Sequence, residues 1–189
     1  MHDYQAQHGQ LPPAAVCGKD GKPLLSWRVL LLPHIEQGQL YKEFHLDEPW
    51  DSPHNIQFLP RMPATYVPPS GKLWKVPEHH TVCKVFVGKH AAFEGTKGLS
   101  YPEDFPDGTN NTLLIVEAGE PVPWTKPEEL AYDPQGPLPD LRGLFDNGFR
   151  AVTADGITRF VQSTVSEATL RAAITRDGGD RLGPDWYGE

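Results

Sequence analysis

The side chains here that carry metal-ligating, proton-transferring or stacking atoms fall into a few short clusters. His79-His80 with Cys83 and His90 offers nitrogen and sulfur ligands of the kind zinc takes. Only one pair-like spacing is present and nothing completes a tetrahedral set, so exposed histidines at the mouth of a strand are the simpler expectation. Asp104, Asp107, Asn110 and Asn111 surround Gly108 with hard oxygens suited to Ca²⁺, with Asp107 and Asn110 the candidate ligands. They do not match an EF-hand loop, and Asp or Asn beside Gly commonly forms a turn that satisfies its own backbone. Glu117 and Glu120 are the nearest thing to a general acid and base pair, but no third group is in view to orient them. No Gly-x-Ser-x-Gly elbow, His-Glu-x-x-His helix or phosphate-binding glycine loop occurs. The expectation is a protein that is not an enzyme and needs no cofactor, calcium aside. Trp74 and Trp124 lie in polar, proline-rich surroundings, where an exposed indole would stack on a glycan, a peptide or another solute.

Composition narrows the classes further. At 189 residues the chain fits a single domain spanning 1–189. A hydrophobic share of 38%, with 20 Pro and 18 Gly, predicts much irregular structure around one core. The formal charge of -8 and the absence of a Lys/Arg run oppose a phosphate backbone, which excludes nucleic acid as the expected partner. The longest aliphatic runs, Val29 to Leu32 and Leu113 to Val116, fall far short of the ~20 residues a membrane span needs, so the chain as given reads as soluble. Cys17 and Cys83 have no ligand-like spacing and could be a disulfide or two buried thiols, with free thiols the preferred reading.

The elements that must position these groups follow from local signals. Met1, Tyr4 and His8 repeat at helical spacing and Gly9 then Pro12-Pro13 stop the helix, so the chain opens on the end of a helix with no cap before it. Ser26 caps a helix carrying Trp27, Leu30 and Leu31, which Pro33 breaks before Ile35, Leu40 and Tyr41. Asp51-Ser52-Pro53 starts a short helix over His54 to Leu59. Thr81 to Val87 is one strand and Asn111 to Glu117 a second, placed centrally in the sheet. Thr125 caps at most one helical turn over Lys126 to Leu130. Asp155-Gly156 turns a hairpin between Phe149 to Ala154 and Ile157 to Val161, with both turn residues at positive φ. Thr164-Val165-Ser166-Glu167 is a capping box for a last helix with Leu170, Ala173 and Ile174 inward, closed at Gly178-Gly179.

Several words of the chain resemble the planctomycete family of unknown function whose members carry a prepilin-type cleavage and methylation segment at the N-terminus. They are 1–13, the block Lys19 to Pro33 with Phe44 to Asp51, Asp107 to Thr112 followed by Val116-Glu117, Pro123 to Leu130, and Ala154-Asp155-Gly156 with Arg159-Phe160. Where many members have Cys-Pro-Ser this chain has Pro68-Pro69-Ser70, and where related sequences often place a His ten residues before the Asp-Gly it has Phe145. A role tied to that Cys or that His does not carry over, which leaves Asp155 and Gly156 as turn formers. The resemblance implies an α+β pseudopilin-like head, an antiparallel sheet packed on a truncated N-terminal helix, with extra short helices and long Pro-rich loops. It implies an extracytoplasmic subunit of a type II secretion or type IV pilus-like system, tethered to the membrane by a helix absent from this chain, with protein partners or self-assembly. The alternative is an extracytoplasmic ligand-binding module.

Overall fold

The computed structural model describes residues 1–69 and 75–187. The fold is mixed α+β, with antiparallel sheet and a few short helices. Helix α1 (His2–His8) ends on Gly9 at φ 76, the left-handed stop its sequence predicts. It meets the rest of the molecule at the hairpin tip, where a His2 ring nitrogen lies 2.8 Å from the Ala154 carbonyl, while Gln5 donates to the Tyr101 carbonyl at 3.4 Å.

Strands β1 (Ala15–Cys17) and β2 (Pro23–Ser26) form an antiparallel ribbon. Ser26 then caps α2 (Trp27–Leu30), its hydroxyl accepting from the Arg28 N–H. Pro33 lacks an amide donor, so the chain passes through a 3₁₀ turn, Leu32–Ile35, before α3 (Gly38–Glu43). The short helix after Ser52 is also 3₁₀, Asn55–Arg61, and Ser52 Oγ accepts from the Asn55 N–H at its start.

The expected strand over Thr81 to Val87 is two strands in two sheets: β3 (His80–Lys84) and β4 (Phe86–Gly88). Val85 divides them because its N–H donates to Glu129 Oε2 at 3.0 Å and its carbonyl accepts from the Leu130 N–H at 3.0 Å. Those bonds hand the chain from the main sheet to a parallel pairing with β6 (Leu130–Tyr132). β5 (Leu113–Pro123) is central as expected, between β3 and the hairpin strands β7 (Gly148–Thr153) and β8 (Thr158–Gln162) in the order β3-β5-β7-β8, and runs six residues past Glu117. The helical turn expected over Lys126 to Leu130 does not form. The Thr125 carbonyl accepts from Ser26 N–H and the Lys126 carbonyl from Arg28, so the segment is held open by partners distant in sequence.

β7 (Gly148–Thr153) and β8 (Thr158–Gln162) form the hairpin. Its turn differs from the two-residue form: Gly156 alone takes positive φ (85), and Gly156 N–H donates to Thr153 O while Thr153 N–H donates to Ile157 O. The loop is therefore the three-residue kind with glycine in the left-handed position. Asp155 keeps ordinary φ because its carboxylate does another job, accepting from Thr153 Oγ1 at 2.6 Å and the Ile157 N–H at 3.1 Å. Helix α4 (Glu167–Ile174) is capped by Ser166, not Thr164, through the Thr169 N–H, and ends before Gly178-Gly179.

The sheet separates two apolar clusters. Val116, Phe149, Ala151 and Val161 pack with Ala173 and Ile174 of α4 on one side. Leu114 joins Trp27, Phe44, Tyr66 and Trp124 on the other, under the 3₁₀ segments and α2–α3.

Candidate functional site

A buried polar centre lies where the family-like words Lys19 to Pro33 and Pro123 to Leu130 meet. Arg28 is 0% exposed, and every nitrogen of its guanidinium is used. Nε donates to the Trp124 carbonyl at 2.8 Å, Nη1 to the Cys83 carbonyl at 2.6 Å, and Nη2 to the Lys126 carbonyl at 3.0 Å. Nη2 also lies 3.0 Å from Glu129 Oε1, and the Glu129 side chain is 5% exposed. Ser26 Oγ and the Val85 N–H complete the carboxylate's donors. Burial pushes the Glu129 carboxyl above its ordinary value, while Arg28 and the Val85 N–H pull it back, and donors on both oxygens suit the charged form. Lys84 is also buried, and desolvation lowers its pKa against the pull of Glu129. A satisfied pair of this kind fixes the arrangement of the segments it touches and offers no free group to a substrate. Its sequence signal was the single charge inside Ser26-Trp27-Arg28-Val29-Leu30-Leu31-Leu32, where a cation must be buried with partners.

The residues singled out from sequence are not brought together. Trp124 is a correction: it is 0% exposed, stacks on Tyr66, meets Phe44 edge-on, and donates its indole N–H to the Leu59 carbonyl at 3.1 Å. The apolar face of the indole outweighs its polar neighbours in sequence, because β5 carries it into the core. Trp74 lies outside the described residues. The Asp107 carboxylate accepts from the Gly179 N–H at 3.0 and 3.1 Å, tying the loop to the end of the chain, while Asn110 is exposed. His90 pairs with Asp177 at 2.8 Å, and among the described residues no three His, Cys, Asp or Glu side chains are grouped to hold a metal. Cys17 and Cys83 are free thiols, and burial pushes Cys83 up to about 12.

Glu120 is exposed, whereas Glu117 is half-buried and its Oε2 has no hydrogen-bond partner. Burial raises the Glu117 pKa, with Arg150 opposing. Both folded and unfolded forms are protonated well below the ordinary value of about 4.3, so the residue costs stability only as pH rises through its folded pKa. Glu117→Gln is therefore expected to raise the melting temperature at pH 7 and leave it unchanged at pH 3.5, as read by circular dichroism; an equal shift at both pH values would refute this.

The two edges of the main sheet differ. Along β3 the backbone of Cys83 is covered, its carbonyl taken by Arg28 and its N–H by Thr81 Oγ1. Along β8 no described strand pairs on the outer side. Ile157 (55% exposed), Phe160 (43%) and Tyr187 (64%) make this edge apolar. A cavity of about 270 Å³ lies beside it, lined by Arg159, Val161, Asp185 and Trp186. A second cavity, about 280 Å³, sits between β1 and β6, but the Glu129 oxygens in its wall are already engaged. Arg159 entered the sequence reading only as part of a family-like word, although alternation along β8 puts it with buried Val161 on the inward-facing positions, where a lone charge is informative.

No curated protein and no solved structure matches the chain. The sequence model of one family matches residues 1–98, just over half of the chain. That span takes in the Lys19 to Pro33 block, whose Ser26, Trp27 and Arg28 build the buried centre. On that match the chain belongs to the family described as a protein of unknown function, DUF1559 (SBP_bac_10).

Proposed function

We propose that this protein is a non-enzymatic extracytoplasmic assembly subunit, a pseudopilin-like head that is tethered to the membrane in its native form and works through contacts with other proteins. The observation that carries this reading is the asymmetry of the main sheet. One edge is capped at Cys83 by the buried Arg28, and the other, at β8, is apolar and has no described strand on its outer side. An unpaired strand edge with exposed aromatic side chains is a ready template for another chain. The polar atoms best placed for chemistry are instead consumed in holding the head together. The membrane tether and the secretion or pilus-like setting rest on the family resemblance.

The test is fractionation of the native full-length protein from its own cells. It is expected in the envelope fraction, in particles larger than a monomer. Phe160→Lys, at an exposed position where a surface change leaves folding intact, should shift it to monomer size. Recovery of the wild-type protein as a cytosolic monomer would overturn the proposal.

A further inference from the structure

Resting on that reading, we infer that β8 is a strand-addition edge whose partner is an extended peptide bearing an acidic side chain, received by Arg159. The backbone supplies the first argument. Thr153 N–H donates to Ile157 O at the closed end of the hairpin, and Val152 stands opposite Thr158, Arg150 opposite Phe160. Alternation along an antiparallel pair then turns the N–H and C=O groups of Thr158 and Phe160 away from β7. No described residue takes them. An extended chain is the protein partner that matches a row of such groups at strand spacing.

The side chains specify the rest. Phe160 packs edge-on against Phe145, with ring centroids 5.7 Å apart, and remains 43% exposed, so it offers an apolar shelf on one face of the edge. On the other face Arg159 lines the cavity of about 270 Å³ and its guanidinium stands 6.0 Å from the Trp186 ring centre. Arg159 makes no ion pair with any described residue, and its Nε is buried without a partner. Asp185 lines the same cavity, but its carboxylate is committed to the Ser166 N–H at 2.7 Å and to Thr169 Oγ1 at 2.6 Å. Arg150, on the neighbouring strand, lies over the Phe145 ring at 4.9 Å and already answers Glu117 of β5. Arg159 is therefore the cation this edge presents to whatever covers it.

A second copy fits less well. Antiparallel self-pairing about Phe160 would set Arg159 opposite Val161 of the copy, and the strand Thr158-Arg159-Phe160-Val161-Gln162 holds no acid to answer it. An acidic extended peptide answers the backbone, the apolar shelf and the cation together.

The test uses the full chain and a labelled nine-residue peptide of alternating valine and threonine with one central glutamate, followed by fluorescence anisotropy. Saturable binding is expected, weakened about tenfold when lysine replaces the glutamate or in Arg159→Gln, the scale of one charge-assisted hydrogen bond. A peptide N-methylated at alternate amides should not bind, a control that needs no variant to fold. Equal binding of the glutamate and lysine peptides would overturn the assignment of Arg159. Absence of all peptide binding while the native protein still assembles in the envelope would overturn the edge as the docking site and leave the assembly reading standing. A monomer–dimer equilibrium in sedimentation that Phe160→Pro abolishes would overturn the peptide in favour of a second copy. Proline at an outward-facing amide of an edge strand is compatible with folding.

Discussion

Arg28→Met is expected to lower the unfolding free energy by about 3–5 kcal/mol, the cost of leaving one member of a buried ion pair uncompensated. Methionine replaces most of the side-chain volume, so the loss measures charge and hydrogen bonds more than a void. Glu129 would keep only Ser26 Oγ and the Val85 N–H, and the carbonyls of Cys83, Trp124 and Lys126 would each lose their guanidinium donor. Urea denaturation read by tryptophan fluorescence gives the single-variant value, and the pair Arg28→Met with Glu129→Met completes a double-mutant cycle. The double variant should be less destabilised than the sum of the singles by about 1–3 kcal/mol. Additivity of the two losses would show that the residues act apart and that the centre does not order the strands around it.

Trp124→Ala should cost about 3–5 kcal/mol, the range for deleting a large aromatic from a well-packed core. The indole is fully buried between Tyr66 and Phe44, and its N–H holds the Leu59 carbonyl of the 3₁₀ segment. The same substitution at an exposed stacking residue would cost little stability and abolish ligand binding instead. A loss below 1 kcal/mol by chemical denaturation, about the scale of surface changes, would refute the core assignment and return Trp124 to the candidate ligand site.

Both predictions fall on groups that sequence alone placed only in part. Ser26 as a cap, the break at Pro33, β5 in the centre of the sheet and the hairpin at Asp155-Gly156 were all legible, because each depends on residues within a few positions of one another. Asp-Gly does terminate the hairpin, although as a three-residue loop, since the Asp155 carboxylate binds Thr153 and Ile157 and only Gly156 needs the left-handed conformation. The strand split at Val85 and the open chain over 125–130 were not legible, because Glu129 and Arg28 supply the deciding hydrogen bonds from far along the sequence.

The candidate site divides along the same line. A lone arginine in the apolar run after Ser26 told that a charge must be buried; which carboxylate would meet it depended on a segment 101 positions further along folding back. By itself the sequence determined the α+β class, the capping and turn chemistry, and a net charge of -8. The tertiary structure alone decided that Trp124 belongs to the core, that Arg28 caps β3 at Cys83, and that β8 has no described strand on its outer side, with Arg159 beside it. The physical reason is range: dihedral preferences and caps act between neighbours, whereas burial and the pairing of buried charges are set by whichever distant segments the packed core brings into contact.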